Sequence, residues 1–146
     1  MRCWQGAYFG TEPLPVVLPE GMELRDLRMS DLDMVMERYT HADGDRAYIA
    51  GRIKYGMIGA YFGETCAGFI GVHREGSMGL LEVFPEYRRM GIASALESAM
   101  TNRMLAKGLI PYGHVVVGNE ASRALQKKLG FTFAEQTVSW LFRSEE

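Results

Sequence analysis

Residues 81–93 read Leu81-Glu82-Val83-Phe84-Pro85-Glu86-Tyr87-Arg88-Arg89-Met90-Gly91-Ile92-Ala93. A strand-like run ends at a proline, a short turn with two arginines follows, and a helix opens at Arg88-x-x-Gly91-x-Ala93. The first N–H groups of a helix lack partners and sit at the positive end of its dipole, so such a start can hold a phosphate. Gly91 and Ala93 lack bulk, which lets an anion come close to the backbone. Arg88 and Arg89 add charge. By physics alone the stretch is a pyrophosphate cradle, though an ordinary strand–turn–helix with solvated arginines has the same outline. A dinucleotide fold would need GxGxxG and a P-loop would need GK[ST]; neither is present.

Toward the C-terminus, Gly91 to Lys107 has helical spacing, with Ile92, Ala95, Leu96, Ala99 and Ala106 on one face and Arg103 as an exception. Gly108 ends that helix. His114 to Val117, between Gly113 and Gly118, reads as a short buried strand. Ala121 to Leu129 reads as another helix, Gly130 as its left-handed C′ residue, and Phe131 as folding back on Leu125. Thr132 to Arg143 is strand-like and open to being split.

Toward the N-terminus, Met57–Phe62, Thr65–His73 and Met78–Phe84 form three strand-like runs joined by turns at Gly63-Glu64 and Arg74–Ser77, an antiparallel meander. Arg46 to Lys54 suggests a short helix. Ser30, followed by Asp31 and Asp33, is a plausible N-cap for a helix to about Tyr39. Met22 to Leu27 suggests a first strand, and residues 1–21, with Pro13, Pro15 and Pro19, an irregular arm. Antiparallel strands followed by a strand–helix–strand crossover imply an α/β fold: a mixed sheet with helices on both faces.

The 146 residues fit one domain. Sixteen basic against eighteen acidic residues give a formal charge of −2, which argues against a general nucleic-acid binder. Cys3 and Cys66 are the only cysteines and form no CxxC pattern, so neither a disulfide framework nor a metal site is expected. The first residues lack the apolar core of a signal peptide, and no apolar run is long enough to span a membrane, so a cytoplasmic location is expected.

The run Val83-x-Pro85-Glu86-Tyr87-Arg88-Arg89-x-Gly91-Ile92-Ala93-Ser94-Ala95-Leu96 resembles motif A of the GCN5-related N-acetyltransferase (GNAT) family. Residues Val115 to Leu125, with Asn119-x-x-Ser122, and then Leu129-Gly130-Phe131, resemble its motif B. Gly76-x-Met78-Gly79-x-Leu81 and Gly108-x-x-Pro111 are similar to the FR47-like and glycine N-acyltransferase branch. The resemblance implies a single GNAT domain: residues 22–77 on the substrate side, 78–131 as the acyl-CoA-binding core and 132–146 as a C-terminal strand. It implies two splayed parallel strands, 78–84 and 114–118, with the pantetheine lying as an added strand against Leu81 and Val83. The Val83 N–H would meet the thioester carbonyl. Arg88, Arg89, Met90, Gly91, Ile92, Ala93 and Ser94 would hold the pyrophosphate, and Asn119 and Ser122 would line the other side. The implied activity is acyl transfer from acetyl-CoA, or another acyl-CoA, to a small amine or amino acid, without metal, nucleic acid or membrane, by a monomer or homodimer.

Many members of the family carry a tyrosine just after the Leu125 position to protonate the departing thiolate; here Gln126 stands there. Glutamine is no acid, so Ser122 or water would have to assist. For the general base, Glu82 is the first candidate, a charge set among Leu80, Leu81, Val83 and Phe84; Glu86 is second. Both also read as solvated carboxylates. His73 and His114 read as ordinary strand histidines or as alternative bases, and His41, Asp43 and Asp45 fall where the family's substrate loop lies. A rival reading, prompted by Gln126, is an acyl-CoA-binding sensor without turnover.

Overall fold

A computed structural model describes residues 2–39 and 45–139. In chain order the elements are β1 (Arg2–Ala7), β2 (Met22–Asp26), α1 (Leu32–Arg38), α2 (Arg46–Gly56), β3 (Ile58–Phe62), β4 (Thr65–Val72), β5 (Met78–Val83), α3 (Ile92–Ala106), β6 (Tyr112–Val116), α4 (Glu120–Lys128), β7 (Thr132–Phe133) and β8 (Val138–Ser139). The sheet order is β2-β3-β4-β5-β6-β1-β7, with β8 also on β1. The meander pairs antiparallel, and β5 with β6 pairs parallel through the α3 crossover.

Apolar clusters cover both faces. Val35, Ile49, Ile53, Phe69, Leu80 and Phe84 form one under α1 and α2; Ile58, Ile70, Met78, Ile92, Leu96 and Met100 form the other under α3. In the first, the Phe69 ring meets Phe84 edge-on at 5.9 Å and Tyr39 at 6.1 Å. Arg38 lies 3.9 Å over the Phe84 ring and closes that end.

Two local expectations change, and the split left open for the terminal strand is found. The irregular arm begins with a strand: β1 pairs with β6 on one side and with β7 and β8 on the other. These pairings span more than a hundred residues, so no local sequence window could carry them. Residues 8–21 are irregular, tied by a Tyr8 N–H bond to the Pro111 carbonyl and by two bonds between Asn102 and the Leu14 backbone. Ser30 does not cap α1. A 3₁₀ turn over Met29–Asp31 comes first, and Asp31 accepts from the Arg28 N–H at 2.7 Å. The terminal strand is split into β7 and β8, and its remainder past residue 139 lies outside the described residues. α4 ends as expected: Gly130 has φ 100°, and its N–H and that of Phe131 return to the carbonyls of Lys127 and Gln126. Phe131 packs on Tyr8 at 5.8 Å.

β4 and β5 approach closely at Gly68, opposite Val83. A Cβ there would lie 2.5 Å from the Glu82 carbonyl oxygen and 3.1 Å from the Val83 Cα, both backbone atoms. Gly68→Ala should therefore cost about 1–3 kcal/mol by overpacking. A thermal midpoint unchanged from wild type would contradict this packing.

Candidate functional site

The β5–β6 ladder is one pair long, Met78 opposite Gly113. Beyond that pair the strands part, and a split opens toward their C-terminal ends. A bulge in β5 adjoins it: Leu80 and Leu81 stand opposite Ile70 alone, and Leu80 has φ 51°. A leucine in the left-handed region costs about 1 kcal/mol, strain of the kind that gathers at functional sites. The Phe84 N–H bonds the Ala67 carbonyl at 3.0 Å, toward β4. Alternation along a strand then turns the Val83 N–H the other way, into the split. Leu81 and Val83 are half-buried against the α3-side cluster.

At the open end, Pro85–Tyr87 makes a single 3₁₀ turn, after which Arg89 (φ 65°) and Gly91 (φ 79°) are both left-handed. Such reversals turn successive N–H groups to one side, as in anion-binding nests. Gly91 is the N-cap of α3, and a Cβ placed on it meets nothing within 4 Å. Arg88, Arg89, Met90 and Gly91 are exposed; Ala93 and Ser94 are half-buried. Ile92 is different. Its side chain is 1% exposed in the core, which leaves only its backbone N–H for a ligand. Met90, Val116 and Val117 add exposed apolar surface at this end of the two strands.

Across the split, Asn119 caps α4, its Oδ1 accepting from the Ser122 N–H at 3.2 Å. That oxygen is committed, so Asn119 shapes the helix start more than it reaches outward. Ser122 is half-buried and Gln126 is buried. The Gln126 amide lies over the Gly6–Gly113 pair of β1 and β6: a Cβ on Gly6 would be 3.1 Å from its Oε1, and one on Gly113 would be 3.5 Å from its Nε2. A Cβ on Gly6 would also stand 2.9 Å from the Phe133 ring. A tyrosine in place of Gln126 would have to enter that tight layer.

The other face carries the carboxylate candidates. Glu82 pairs with Phe69, which belongs to the α1/α2-side cluster, so Glu82 projects to that face and is half-buried. Glu86 is exposed and bonds Arg38 at 2.5 Å; that hydrogen bond holds its carboxyl below the usual carboxylate range. His73 accepts or donates at Nδ1 to the Tyr48 hydroxyl at 2.7 Å, and its ring packs against Gly79. Burial pushes the pKa of both His73 and His114 down, so both are neutral at pH 7. Asp45 caps α2 by accepting from the Tyr48 N–H at 2.9 Å. His41 and Asp43 lie outside the described residues.

Sequence reasoning passed over one group. Glu97 of α3 is 4% exposed, and burial raises its pKa to about 7, opposed by a hydrogen bond with the Gln126 side chain. A glutamate inside a helical apolar pattern was the available signal. A depression of about 340 Å³ lined by Leu24, Asp26, Ile58, Ala99 and Arg103 lies away from the split, at the β2 edge, and is crossed by a 2.6 Å Arg103–Asp26 ion pair. Among the described residues no group of three or more His, Cys, Asp or Glu could hold a metal, and no helix is long and apolar enough to cross a membrane.

A family model described as FR47-like protein matches residues 54–141. A curated protein from Sodalis glossinidius, acetyltransferase SG1711, is 29% identical over 114 residues, covering 75% of this chain and 72% of that protein. A solved Drosophila structure superposes with TM-score 0.78 at 25% identity over 90% of this chain; the chain spans about half (47%) of its length. The Arabidopsis thaliana Naa50 structure, in complex with the bisubstrate analogue CoA-Ac-MVNAL, gives TM-score 0.63 at 26% identity over 77% of this chain and 83% of that one.

Proposed function

Because the chain belongs to the FR47-like branch of the GNAT acetyltransferases, we propose that it transfers an acetyl or other short acyl group from acyl-CoA to a primary amine, by direct attack in a ternary complex. The observation that carries this reading is the one-pair β5–β6 ladder, opening toward the left-handed turn at Arg89 and Gly91. The open backbone at Gly91 and the cations of Arg88 and Arg89 suit a pyrophosphate. From there a pantetheine arm runs into the split, where the Val83 N–H is directed. That N–H would hold the oxygen of the tetrahedral intermediate. Naa50 bound to a CoA–acetyl–peptide analogue supports the pairing of acyl-CoA with an amine acceptor.

The two faces divide the work. The cradle belongs to α3 and serves its face of the sheet. Glu82 lies on the α1/α2 face, so an amine arriving there meets a carboxylate able to take its proton, directly or through water. Glu86, tied to Arg38 and held acidic, is the poorer base. The acceptor is a small amine or amino acid, and the protein works as a monomer or homodimer in the cytoplasm, where Cys3 and Cys66 stay thiols.

A ligand that binds only the folded state stabilises it. CoA or acetyl-CoA at about 100 times its Kd should add roughly 2.7 kcal/mol and raise the thermal midpoint. No shift at millimolar CoA would sink the reading. Stabilisation without thiol release across a broad panel of amines would favour the acyl-CoA sensor instead.

A further inference from the structure

Acyl transfer from a thioester ends with a negative charge on sulfur, and the structure points to where a proton for it is stored. We propose, resting on the acyltransferase reading above, that the Glu97 carboxyl, held beside the Gln126 amide on the α3/α4 side of the split, gives its proton to the departing CoA sulfur.

The placement follows from three contacts. Thr101, one turn after Glu97 on α3, donates to the Met78 Sδ at 3.7 Å. Met78 is the β5 half of the last β5–β6 pair. A right-handed crossover makes α3 run back against β5. One helical turn from Thr101 toward the helix start covers about 5–6 Å, or roughly two strand residues beyond Met78. Glu97 is therefore level with Leu80 and Leu81, where β5 has lost its β6 partner. Gln126 comes toward it from α4, its amide lying over the Gly6–Gly113 pair, level with Met78 at the closed end of the split. The two side chains meet below the opening of the split, opposite the face that carries Glu82.

Glu97 Oε2 is buried without a hydrogen-bond partner among the described residues, and so is Gln126 Oε1. Buried polar atoms nearly always find a partner, so both oxygens are open to a hydrogen bond from a water or a bound ligand. The groups around Glu97 leave its proton in place. From its own helix its neighbour one turn on is Thr101, which bonds Met78 of β5, and from α4 it meets the neutral Gln126. Among the described residues no charged side chain acts on it; burial raises its pKa to about 7, and the Gln126 bond opposes. A carboxyl near 7 is a stronger acid than a thiol near 8.5, so transfer to the sulfur runs downhill.

The step balances. The amine, its first proton lost on the Glu82 side, attacks the carbonyl carbon. As the C–S bond breaks, its electron pair goes to sulfur and the Glu97 proton follows, giving free thiol and a carboxylate. The remaining ammonium proton leaves to solvent, and solvent reprotonates Glu97.

The test uses protein labelled with ¹³C at the glutamate carboxyls. Burial raises the pKa of the Glu97 carboxyl to about 7, so its signal is expected to titrate well above that of an unperturbed glutamate near about 4.3. Calorimetry first establishes CoA binding. Saturation with CoA is expected to move the Glu97 signal and its titration midpoint, and desulfo-CoA, identical but for the sulfur, is expected not to. Equal responses to both would overturn the proposal while leaving the acyltransferase reading intact; absence of CoA binding would remove both. In turnover, Glu97→Gln should lower kcat at least tenfold near pH 6 and abolish the fall in rate above about pH 7, since a donor acts only while protonated. If that variant does not fold, Glu97→Asp should keep the falling limb at a lower rate. A Glu97→Gln enzyme with wild-type kcat and pH profile would also overturn it.

Discussion

Gly91→Glu is expected to weaken CoA binding about a thousandfold while the protein stays folded. The side chain has room, because a Cβ on Gly91 meets no atom within 4 Å. Its cost is conformational: φ is 79°, and a non-glycine residue there carries roughly 1–2 kcal/mol of strain. The effect on binding is electrostatic. A carboxylate about 4 Å from a phosphate charge, at an effective dielectric near 20, is repelled by about 4 kcal/mol, which is about three decades in Kd. Gly91→Gln carries the same strain and nearly the same bulk without charge, so the difference between the two variants isolates the repulsion. Calorimetric titration with CoA reads both. If Gly91→Glu and Gly91→Gln bind alike, the pyrophosphate does not sit at this helix start.

Glu82→Gln should reduce turnover by roughly 10²–10⁴, the usual contribution of a positioned base, with CoA affinity nearly unchanged. The loss should be partly recovered at high pH, where more of the amine is already neutral. Glu86→Gln should act weakly, because that carboxylate is bound to Arg38 at 2.5 Å on the exterior. The reverse ranking would move the base to Glu86 and place the acceptor next to the cradle. The measurement is thiol release from acetyl-CoA at saturating amine across pH.

The strand–turn–helix at residues 85–92 was legible because it is built from consecutive residues. Pro85 stops a strand, Gly91 takes a left-handed φ, and Ile92 starts a helix; each is a local property that travels with the chain. The meander, α3 and α4 were legible for the same reason. The first strand was not. Arg2–Ala7 has no sustained alternation, and it becomes a strand only because β6 on one side and β7 and β8 on the other satisfy its backbone.

What the sequence determined by itself is the family motif pair and the strand–turn–helix that would hold a pyrophosphate. The tertiary structure alone decided which face each acid uses. Glu82 follows Leu80 and Leu81, and in an unbroken strand it would share a face with Met78 and point into the cluster under α3. The bulge at Leu80–Leu81 shifts the alternation by one residue, so Met78 lies in the α3-side cluster while Leu80 and Phe84 lie in the other, and Glu82 follows them. No composition or period marks a bulge; it is set by how β4 and β5 pair. Glu97 is the complementary case. Its place on a helix could be read from the sequence, but its burial beside Gln126 exists only because α3 and α4 pack on the same face, with two paired glycines making room for the amide.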